Sequence, residues 1–383
     1  MKKRIFPLFL AAALSASAFP VFAADDTAAT LTLSAKTATL GVGEEYFFRA
    51  ETDSLKKISW SSSDKTVATV NGEGRVKARS EGETAVTAKT GGLEAKIKIT
   101  VKKAPARVKA DDITVTAKFS EKIKVRLPSG SASKGRAFAS SDDKTAQVDE
   151  YGIVTGKKAG KCTVTVTTYN GLTATLNVTV EPFPKTVTIK GKEYETDLTE
   201  LSLPWKELAA EDIAPLKYMT KLRTLDLSYN MIGDISVLAG LAKLRELNLS
   251  DNRISKIAPL AGLTDLRVLN LSNNNISGLS PLRGLVKLTD LKINGNNVKS
   301  AVSLKGLVKL KTLELEDNEI KSVSALEGLK RLTALNLNYN KIRNVGVLKG
   351  LGRLRDLRLF DNNIKNSDIS DLKKSIPKCG VNA

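Results

Sequence analysis

The stretch LRTLDLSYNMI, residues 222–232, decides the fold of the C-terminal half of this chain. Its pattern L-x-x-L-x-(L/I)-x-x-N-x-(I/V) recurs with a fixed period of 22 residues in seven consecutive units. A constant spacing over this many units is typical of a solenoid, in which each repeat stacks on the next. The units begin at Leu222, Leu244, Leu266, Leu288, Leu310, Leu332 and Leu354.

The period predicts one short strand and one return segment in each repeat. With the opening leucine as place one, the apolar residues at places four and six share one face of a strand, because strand side chains alternate. The later apolar places, such as Ile232 and Leu238, turn inward as the chain returns. Since no unit can enclose its own core, the repeats must stack into a parallel β-sheet on the concave face, with a short helical or irregular convex side.

The asparagine at place nine, Asn230 in the first of these units, recurs in every unit. Its side-chain amide can both donate and accept hydrogen bonds. We expect it to satisfy backbone groups in the tight loop that leaves each strand, which is a structural role rather than a ligand-binding one.

Both ends of the solenoid depart from the pattern. An earlier unit begins at Leu198, but Lys206 replaces its asparagine. At the far end Ile376, Cys379 and Val381 fall on places one, four and six of one more strand, after a segment that predicts a capping helix. We expect eight full strands and a ninth, terminal one. The predicted boundaries are 182–197 for a linker and N-terminal cap hairpin, 198–366 for the repeats and 367–383 for the C-terminal cap.

Residues 30–102 and 104–181 form two related units. The sequence WSSSDKTVATV, which starts at Trp60, corresponds to FASSDDKTAQV, which starts at Phe138, at an offset of 78 residues. Both units consist of short alternating apolar and polar runs between Gly, Ser and Asp turns, which predicts two β-sandwiches. The motif resembles bacterial Ig-like domains of group 2. The second unit is the more divergent, since Phe138 replaces the tryptophan.

The 22-residue repeats resemble leucine-rich repeats, and in particular those of internalin-like bacterial surface proteins. This resemblance covers residues 198–383. It implies binding of other proteins through the concave face. The domain order departs from the family, because internalins place an Ig-like module after the repeats, whereas two such modules precede them here.

Residues 1–23 are predicted to be a secretory signal peptide. Basic residues at positions 2–4 precede an apolar run, and Ala23 ends a small-residue cleavage site, with cleavage after Ala18 as the alternative. No later stretch approaches the ~20 apolar residues that a transmembrane helix needs. We therefore expect an exported chain, secreted or associated with the cell surface, whose mature form has no transmembrane segment and whose anchoring mode the sequence does not specify.

Composition restricts the chemistry of this chain. It contains no histidine, which excludes Ser-His-Asp and Cys-His nucleophilic sites and histidine metal sites. Cys162 and Cys379 are expected to be buried apolar thiols rather than disulfide partners. An acidic cluster that includes Glu314 and Glu316 offers the two carboxylates of a glycosidase, but a solvated charged face is the simpler interpretation. The sequence therefore predicts no enzyme, no metal site and no cofactor.

Positive charge is in excess and partly ordered: the formal net charge is +19. Many cations occupy place two of a unit or the last place of the unit before it, on either side of the opening leucine. Such a column should run along one lateral edge and attract an anionic partner; a solvated face that keeps the protein soluble is the alternative. The predicted basic edge comprises Arg223, Lys243, Arg245, Lys309, Lys311, Arg353 and Arg355.

The concave face is the main candidate for a binding surface. Places three, five and seven point out of the sheet and vary while the leucines stay constant, although free drift of surface residues gives the same picture. Large aromatic residues, the usual anchors of interfaces, stand at place eight as Tyr229 and Tyr339, with Trp205 in the earlier unit. The predicted partner-binding residues are Asp226, Tyr229, Asn248, Asn270, Lys292, Glu314, Asn336, Tyr339, Arg358 and Phe360.

Three functional hypotheses follow from these features. The first is an exported or cell-surface protein-interaction module, adhesive in character, that binds a partner on the concave face and uses the Ig-like domains as spacers. The second is a binder of carbohydrate or anionic cell-envelope polymer through the sandwiches or the basic edge, and the third is an accessory to an envelope enzyme. We expect a monomer whose partner is an extracellular protein or envelope glycan, and not nucleic acid, since no basic–aromatic stacking platform is evident.

Overall fold

The computed structural model describes residues 30–54 and 56–383. The chain divides into two compact units between Pro182 and Phe183. The predicted signal peptide, residues 1–23, lies outside the described residues. Within the described ranges, no helix has the length and apolar character that crossing a membrane requires.

The first sandwich consists of nine short strands whose alternating side chains pack between two sheets. Strands β2, β9, β8 and β5 form one sheet in that order, β3, β7 and β6 form the second, and β1 pairs with β4. Phe48, Leu40, Ile97 and Ile99 are fully buried between them. The strands are β1 Leu31–Leu33, β2 Thr37–Gly41, β3 Glu45–Phe47, β4 Ala50–Thr52, β5 Ser59–Ser62, β6 Ala68–Val70, β7 Arg75–Ala78, β8 Gly82–Thr90 and β9 Leu93–Lys102.

The second sandwich repeats the same topology. Its sheets have the orders β11, β18, β17, β14 and β12, β16, β15, with β10 paired to β13. The strands are β10 Lys109–Ala110, β11 Ile113–Thr116, β12 Ser120–Lys122, β13 Val125–Arg126, β14 Arg136–Ser140, β15 Ala146–Val148, β16 Ile153–Gly156, β17 Gly160–Thr168 and β18 Thr173–Glu181.

An aromatic ring packed on a glycine accounts for the motif that the two sandwiches share. Gly74 has a φ of +92°, and a Cβ there would come within 2.7 Å of the Trp60 ring. Gly152 has a φ of +76°, and a Cβ there would come within 2.7 Å of the Phe138 ring. Only glycine accepts both the left-handed backbone and the close approach. The replacement of tryptophan by Phe138 therefore keeps the packing that defines the motif.

A buried carboxylate joins the two sandwiches. Glu44 is completely buried, and its side chain accepts hydrogen bonds from the backbone N–H of Gly41 at 2.8 Å, Lys134 at 3.1 Å and Gly135. Two of these donors lie in the second sandwich. The hydroxyl of Tyr169, also in the second sandwich, donates to the carbonyl of Val42 at 2.6 Å. The sandwiches are therefore tied by directional hydrogen bonds from a loop of each.

Replacing Glu44 tests this joint. In Glu44→Gln an amide group would face backbone donors, so we expect the unfolding midpoint of the sandwich unit to fall, with a loss on the order of 2 kcal/mol, typical for hydrogen bonds to a charged group. Calorimetry of the full chain would measure it. Glu45→Gln is the matched control, because the Glu45 side chain is exposed and, among the residues that the structure describes, forms an ion pair with Lys77 alone. Equal midpoints in both variants would contradict the role of Glu44.

The C-terminal unit is a solenoid with one continuous parallel sheet. A hairpin of β19 Thr186–Ile189 and β20 Lys192–Glu195 precedes it, and the nine strands of the sheet pair in sequence order. They are β21 Glu200–Ser202, β22 Thr224–Asp226, β23 Glu246–Asn248, β24 Val268–Asn270, β25 Asp290–Lys292, β26 Thr312–Glu314, β27 Ala334–Asn336, β28 Asp356–Arg358 and β29 Gly380–Asn382.

The convex side is made of short 3-10 helices. Each return segment provides only three to five helical residues, which suits a tight 3-10 turn better than an α-helix. The leucines and isoleucines of strands and return segments form one core, which extends from Val187 to Ile376. The helices span Ala214–Tyr218, Ser236–Gly240, Ala258–Gly262, Ser280–Gly284, Val302–Leu304, Ser324–Leu326 and Gly346–Gly350. The predicted fold class is confirmed.

The C-terminal end contains the α-helix α1, Asn366–Ser375, followed by β29. The predicted register of this last strand is wrong. Leu357, at place four of its repeat, pairs with Val381 and not with Cys379. The helix replaces the usual return segment, so the 22-residue spacing no longer sets which residue meets the sheet. Cys379 is half-buried, whereas Cys162 is buried, and both thiols are free.

The recurring asparagine ties each repeat to the one before it. The Nδ2 of Asn274 donates to the carbonyl of Leu249 at 2.9 Å, and its Oδ1 accepts from the N–H of Ile254 at 2.9 Å. Both partners belong to the preceding repeat. Nδ2 also reaches the carbonyls of Leu271 and Ser272, at 3.1 Å each, in its own repeat. The predicted structural role is confirmed.

The same geometry explains the exception at Lys206. The first unit has no preceding repeat, so an asparagine there would have no earlier strand to bind. The backbone of the first unit is bonded by the next repeat, as in the following units: Asn230 accepts hydrogen bonds from the N–H of Lys206 at 3.0 Å and of Leu208 at 2.9 Å.

Asn274→Ala should destabilise the repeat domain. The substitution leaves a buried N–H and a buried carbonyl of the preceding repeat without partners, so we expect a loss on the order of 3 kcal/mol in the free energy of unfolding. Denaturant titration followed by circular dichroism would measure it. Asn275→Ala is the control, since Asn275 is exposed and only its backbone N–H bonds the preceding repeat. A loss of stability as large in the control would contradict the assignment.

Candidate functional site

The outward places of the strands form the concave face. Place three runs along one side, place five along the middle and place seven along the far side of the sheet. Carboxylates outnumber cations on these columns, although the chain as a whole is strongly basic. The carboxylates are Glu200, Asp226, Glu246, Asp290, Glu314, Glu316 and Asp356, and the cations are Lys292 and Arg358.

Much of column five also has a structural role. The side-chain oxygen of Asp226 accepts from the N–H of Ser228 at 2.9 Å, and Asn248 and Asn270 make the equivalent bond to place seven at 3.2 and 3.1 Å. Short polar side chains commonly cap the backbone two residues on in this way. Asp and Asn recur at this place because they end the strand. The sequence pattern predicts these residues only as contacts for a partner. That prediction is incomplete, because their side chains also accept hydrogen bonds from the backbone.

The centre of the face is a network of charge and amide groups. Lys292 pairs with Glu314 at 3.0 Å, and Asn294 donates to Glu314 at 2.9 Å. Asn336 is buried and donates to Glu316 at 2.7 Å. The carboxylates of Glu314 and Glu316 are therefore both held by hydrogen bonds. Asn336, which is one of the predicted partner-binding residues, is directed toward Glu316 and not toward solvent.

A shallow depression of about 300 Å³ lies on the N-terminal part of the face. Val268, which is 37% exposed, contributes an apolar surface to it. Asp226, Glu246 and Asp290 surround this surface, with Lys292 at one side. Among the described residues, none of these three carboxylates makes a salt bridge within 4.0 Å, so the depression combines an apolar surface with unneutralised negative charge.

Two pairs of exposed aromatic side chains lie at opposite ends of the repeat array. Trp205 and Tyr229 stack with ring centroids 3.9 Å apart and planes 10° from parallel. Tyr339 and Phe360 meet edge to face, with centroids 5.6 Å apart. Trp205 is 70% exposed, so most of its indole faces solvent. Each pair is arranged in advance, which lowers the entropy that a partner must remove on binding.

The place-eight aromatics occupy a backbone conformation that disfavours them. Trp205, Tyr229 and Tyr339 have φ of 58°, 56° and 52°. Left-handed residues are normally Gly, Asn or Asp, and other types cost on the order of 1–3 kcal/mol. The remaining repeats follow that preference, with Asp251, Asn273, Gly295, Asp317 and Asp361 at the same place. Aromatic residues at this place therefore reduce stability locally.

The C-terminal aromatic pair lies beside a charged group that is held in position. Arg358 donates to Asp356 at 3.0 Å, and this hydrogen bond, with the charges of Asp356, Glu314 and Glu316, raises the pKa of its guanidinium. Phe360 is attached to the neighbouring repeat through its N–H, which donates to Asn338 at 2.9 Å. The structure thus brings the predicted residues Tyr339, Arg358 and Phe360 to the last repeats.

The predicted basic edge is a separate surface. All seven of its predicted residues are exposed. They lie at the start of the strands, next to the opening leucines, and not on the concave face.

Three features of the face were not predicted from the sequence: Val268, Asp290 and the backbone strain at Trp205. The sequence does contain a signal for the strain at Trp205. Five of the eight residues at place eight are Gly, Asn or Asp, which indicates a left-handed backbone there. Val268 and Asp290 emerge only when neighbouring repeats are placed side by side. Within the residues that the structure describes, no group of Cys, Asp and Glu has an arrangement suited to a metal ion.

The aromatic strain can be tested through stability. Tyr339→Asn should keep or raise the free energy of unfolding, by up to about 1 kcal/mol, because asparagine accepts the left-handed backbone. Asp361→Tyr, at the same place of the next repeat, should lower it. Chemical denaturation of both variants would measure the change. A large destabilisation by Tyr339→Asn would show that the tyrosine serves the fold.

Family profiles match most of the chain. The bacterial Ig-like domain (group 2) matches residues 27–104 and 104–180. Leucine-rich repeat profiles match 220–263, 242–284 and 264–307, and a related one matches 300–342 and 309–364. No curated protein matches the chain. An exposed, pre-arranged face on such repeats defines a protein-interaction module of the leucine-rich repeat class.

Solved structures include internalins with similar repeats. Internalin InlF of Listeria monocytogenes is 35% identical over 49% of this chain and 54% of its own, with a TM-score of 0.47. Internalin C2 of the same organism is 31% identical over 45% of this chain and 76% of its own, with a TM-score of 0.43. The ectodomain of a receptor kinase from Arabidopsis thaliana is 24% identical over 49% of this chain and 24% of its own, with a TM-score of 0.42.

The chain carries two group 2 bacterial Ig-like domains followed by a domain of leucine-rich repeats. The resemblance given by the sequence is thereby confirmed. The chain spans about half of the length of InlF, 54%.

Proposed function

We propose that this chain is an exported or cell-surface adhesive module that binds an extracellular protein on the concave face of its repeats. The two Ig-like domains would act as spacers. The predicted signal peptide supports export. The bonds around Glu44 support the spacer role, because a joint held by directional hydrogen bonds resists bending.

The exposed aromatics in left-handed backbone carry this proposal. A surface under selection only for folding would replace them by Asn, Asp or Gly, as the other repeats do. Aromatic side chains are the commonest anchors of protein interfaces. Two pairs at opposite ends of the array suit a partner that extends along the face, on the order of 25 Å for the five strand spacings from Tyr229 to Tyr339.

The charge of the face selects the chemistry of the partner. Val268 is surrounded by the carboxylates of Asp226, Glu246 and Asp290. A Lys or Arg side chain of the partner could pack its aliphatic stem on the valine and place its charged group near these carboxylates. The partner would therefore present basic residues toward the first half of the repeats and apolar residues toward the two aromatic pairs.

The proposal is for binding and not for catalysis. The two carboxylates that a glycosidase would use, Glu314 and Glu316, accept hydrogen bonds from Asn294 and Asn336. The proposed binding needs no cofactor.

Binding to immobilised purified extracellular proteins would test the proposal, with the full chain compared against Trp205→Ala and Val268→Lys. We expect at least one protein ligand to be bound and each substitution to weaken it by about tenfold or more, the range of interface hot spots. Salt screens the contacts to the three carboxylates but not the contacts to the aromatic rings and the valine, so binding should weaken but persist between 0.05 and 0.5 M salt.

Val302→Lys is the matched control. Val302 is also an exposed valine, 58%, but lies in a 3-10 helix on the convex side. Ligand binding that survives Trp205→Ala and Val268→Lys, or falls equally in Val302→Lys, would remove the concave face from the proposal.

A further inference from the structure

The basic edge is ordered by the backbone beneath it. The N–H of Arg245 donates to the carbonyl of Arg223 at 2.7 Å, and the N–H of Arg267 donates to Arg245 at 2.8 Å. The same bond continues through places two of the following repeats as far as Arg355. Side chains at place two therefore emerge at the strand spacing, about 4.8 Å.

Cations dominate both columns of this edge. Place two holds Arg223, Arg245, Arg267, Lys311 and Arg355, with threonine in the other two repeats. The last place of the preceding unit holds Lys221, Lys243, Lys287, Lys309, Arg331 and Arg353, with Asp265 in the remaining repeat. All eleven cations are exposed. Every repeat therefore contributes at least one cation, and the edge is a double row of positive charge, interrupted at three positions, on the order of 30 Å long.

The carboxylate of Asp265 shows that cations of both columns, place two and the last place of a unit, can interact with one anion. Its carboxylate accepts a hydrogen bond from Lys287 of the next repeat at 2.6 Å. That bond and charge, followed by the charges of Arg245 and Arg267, lower the pKa of Asp265. One carboxylate on the edge thus interacts with three cations from two successive repeats.

Most of the edge lacks such a counter-charge. Among the residues that the structure describes, Lys309, Lys311 and Arg331 make no salt bridge within 4.0 Å. Like charges a few ångströms apart repel and disfavour the folded state. A sequence selected only for solubility would alternate the signs of its charges. The row of uncompensated cations points to an external polyanion.

We propose that the basic edge binds a linear sulfated polysaccharide that lies across the strands, along the axis of the repeats. A stiff chain with sulfates at regular intervals fits a rigid row of cations and loses little conformational entropy on binding, whereas a flexible polyphosphate loses more. Arginines at place two provide bidentate donors for sulfate oxygens. This site is separate from the concave face and does not depend on the proposed protein partner.

Calorimetric titration of the full chain with a heparin dodecasaccharide at several salt concentrations would test the site. The comparison variant is the triple substitution Lys309→Gln, Lys311→Gln and Arg331→Gln. We expect binding at 0.15 M salt that weakens steeply with ionic strength. In the triple variant the affinity should fall about tenfold, and the slope of log K against log salt should fall by about 2–3, roughly one for each cation lost.

A second substitution is expected to strengthen binding, which damage to the fold would not do. Asp265→Asn removes the anion that competes for the edge, so affinity for the dodecasaccharide should rise about two- to fivefold, the effect of one exposed ion pair. The control for charge is the convex triple variant Arg283→Gln, Lys305→Gln and Lys349→Gln, which should bind heparin nearly as well as the unchanged chain.

Three results would overturn the proposal: no heparin binding at 0.15 M salt, equal losses in the edge and convex variants, or no gain in Asp265→Asn. Tighter binding of inorganic polyphosphate than of heparin, at matched charge, would overturn the choice of a polysaccharide. Binding of a protein to the concave face is measured separately, so either proposal can fail alone.

Discussion

The hydrogen bonds of the place-nine asparagines are the interaction on which the repeat domain depends. Each amide connects the loop after one strand to the strand and loop of the preceding repeat, as Asn274 does with Leu249 and Ile254. A 22-residue unit buries too little apolar surface to fold alone, so its stability comes from its neighbours. The asparagines make that dependence directional and fix the register of the strands. The fixed register in turn places the outward side chains in straight columns.

Straight columns allow one scaffold to present different surfaces. Acidic groups and exposed aromatics lie on the concave face, while cations lie along the edge where the strands begin. Because the chain is strongly basic overall, an acidic concave face implies that charge is segregated between these surfaces. A partner that fits one surface is repelled by the other, which separates the two proposed ligands.

The two surfaces differ in how they affect the fold. At place eight, local backbone energetics favour Asn, Asp or Gly, and Trp205, Tyr229 and Tyr339 oppose that preference. At the edge, the opposition is electrostatic, since neighbouring cations repel. In both cases, residues that lower the stability of the fold are kept on an exposed surface. The continuous leucine core offsets this loss of stability.

The sequence by itself determined the architecture: two sandwiches of one topology, a solenoid with a 22-residue period, and the role of its asparagines. These follow from periodicity, because core and turn positions are constrained by contacts that every repeat makes alike. Only the tertiary structure decided which outward-facing residues are available for contact with a partner. It showed that Asn336 is buried against Glu316, that Val268 is surrounded by carboxylates of adjacent strands, that Glu44 joins the sandwiches, and that the last strand pairs through Val381. Each of these depends on contacts between residues 20 or more positions apart, which no local pattern encodes.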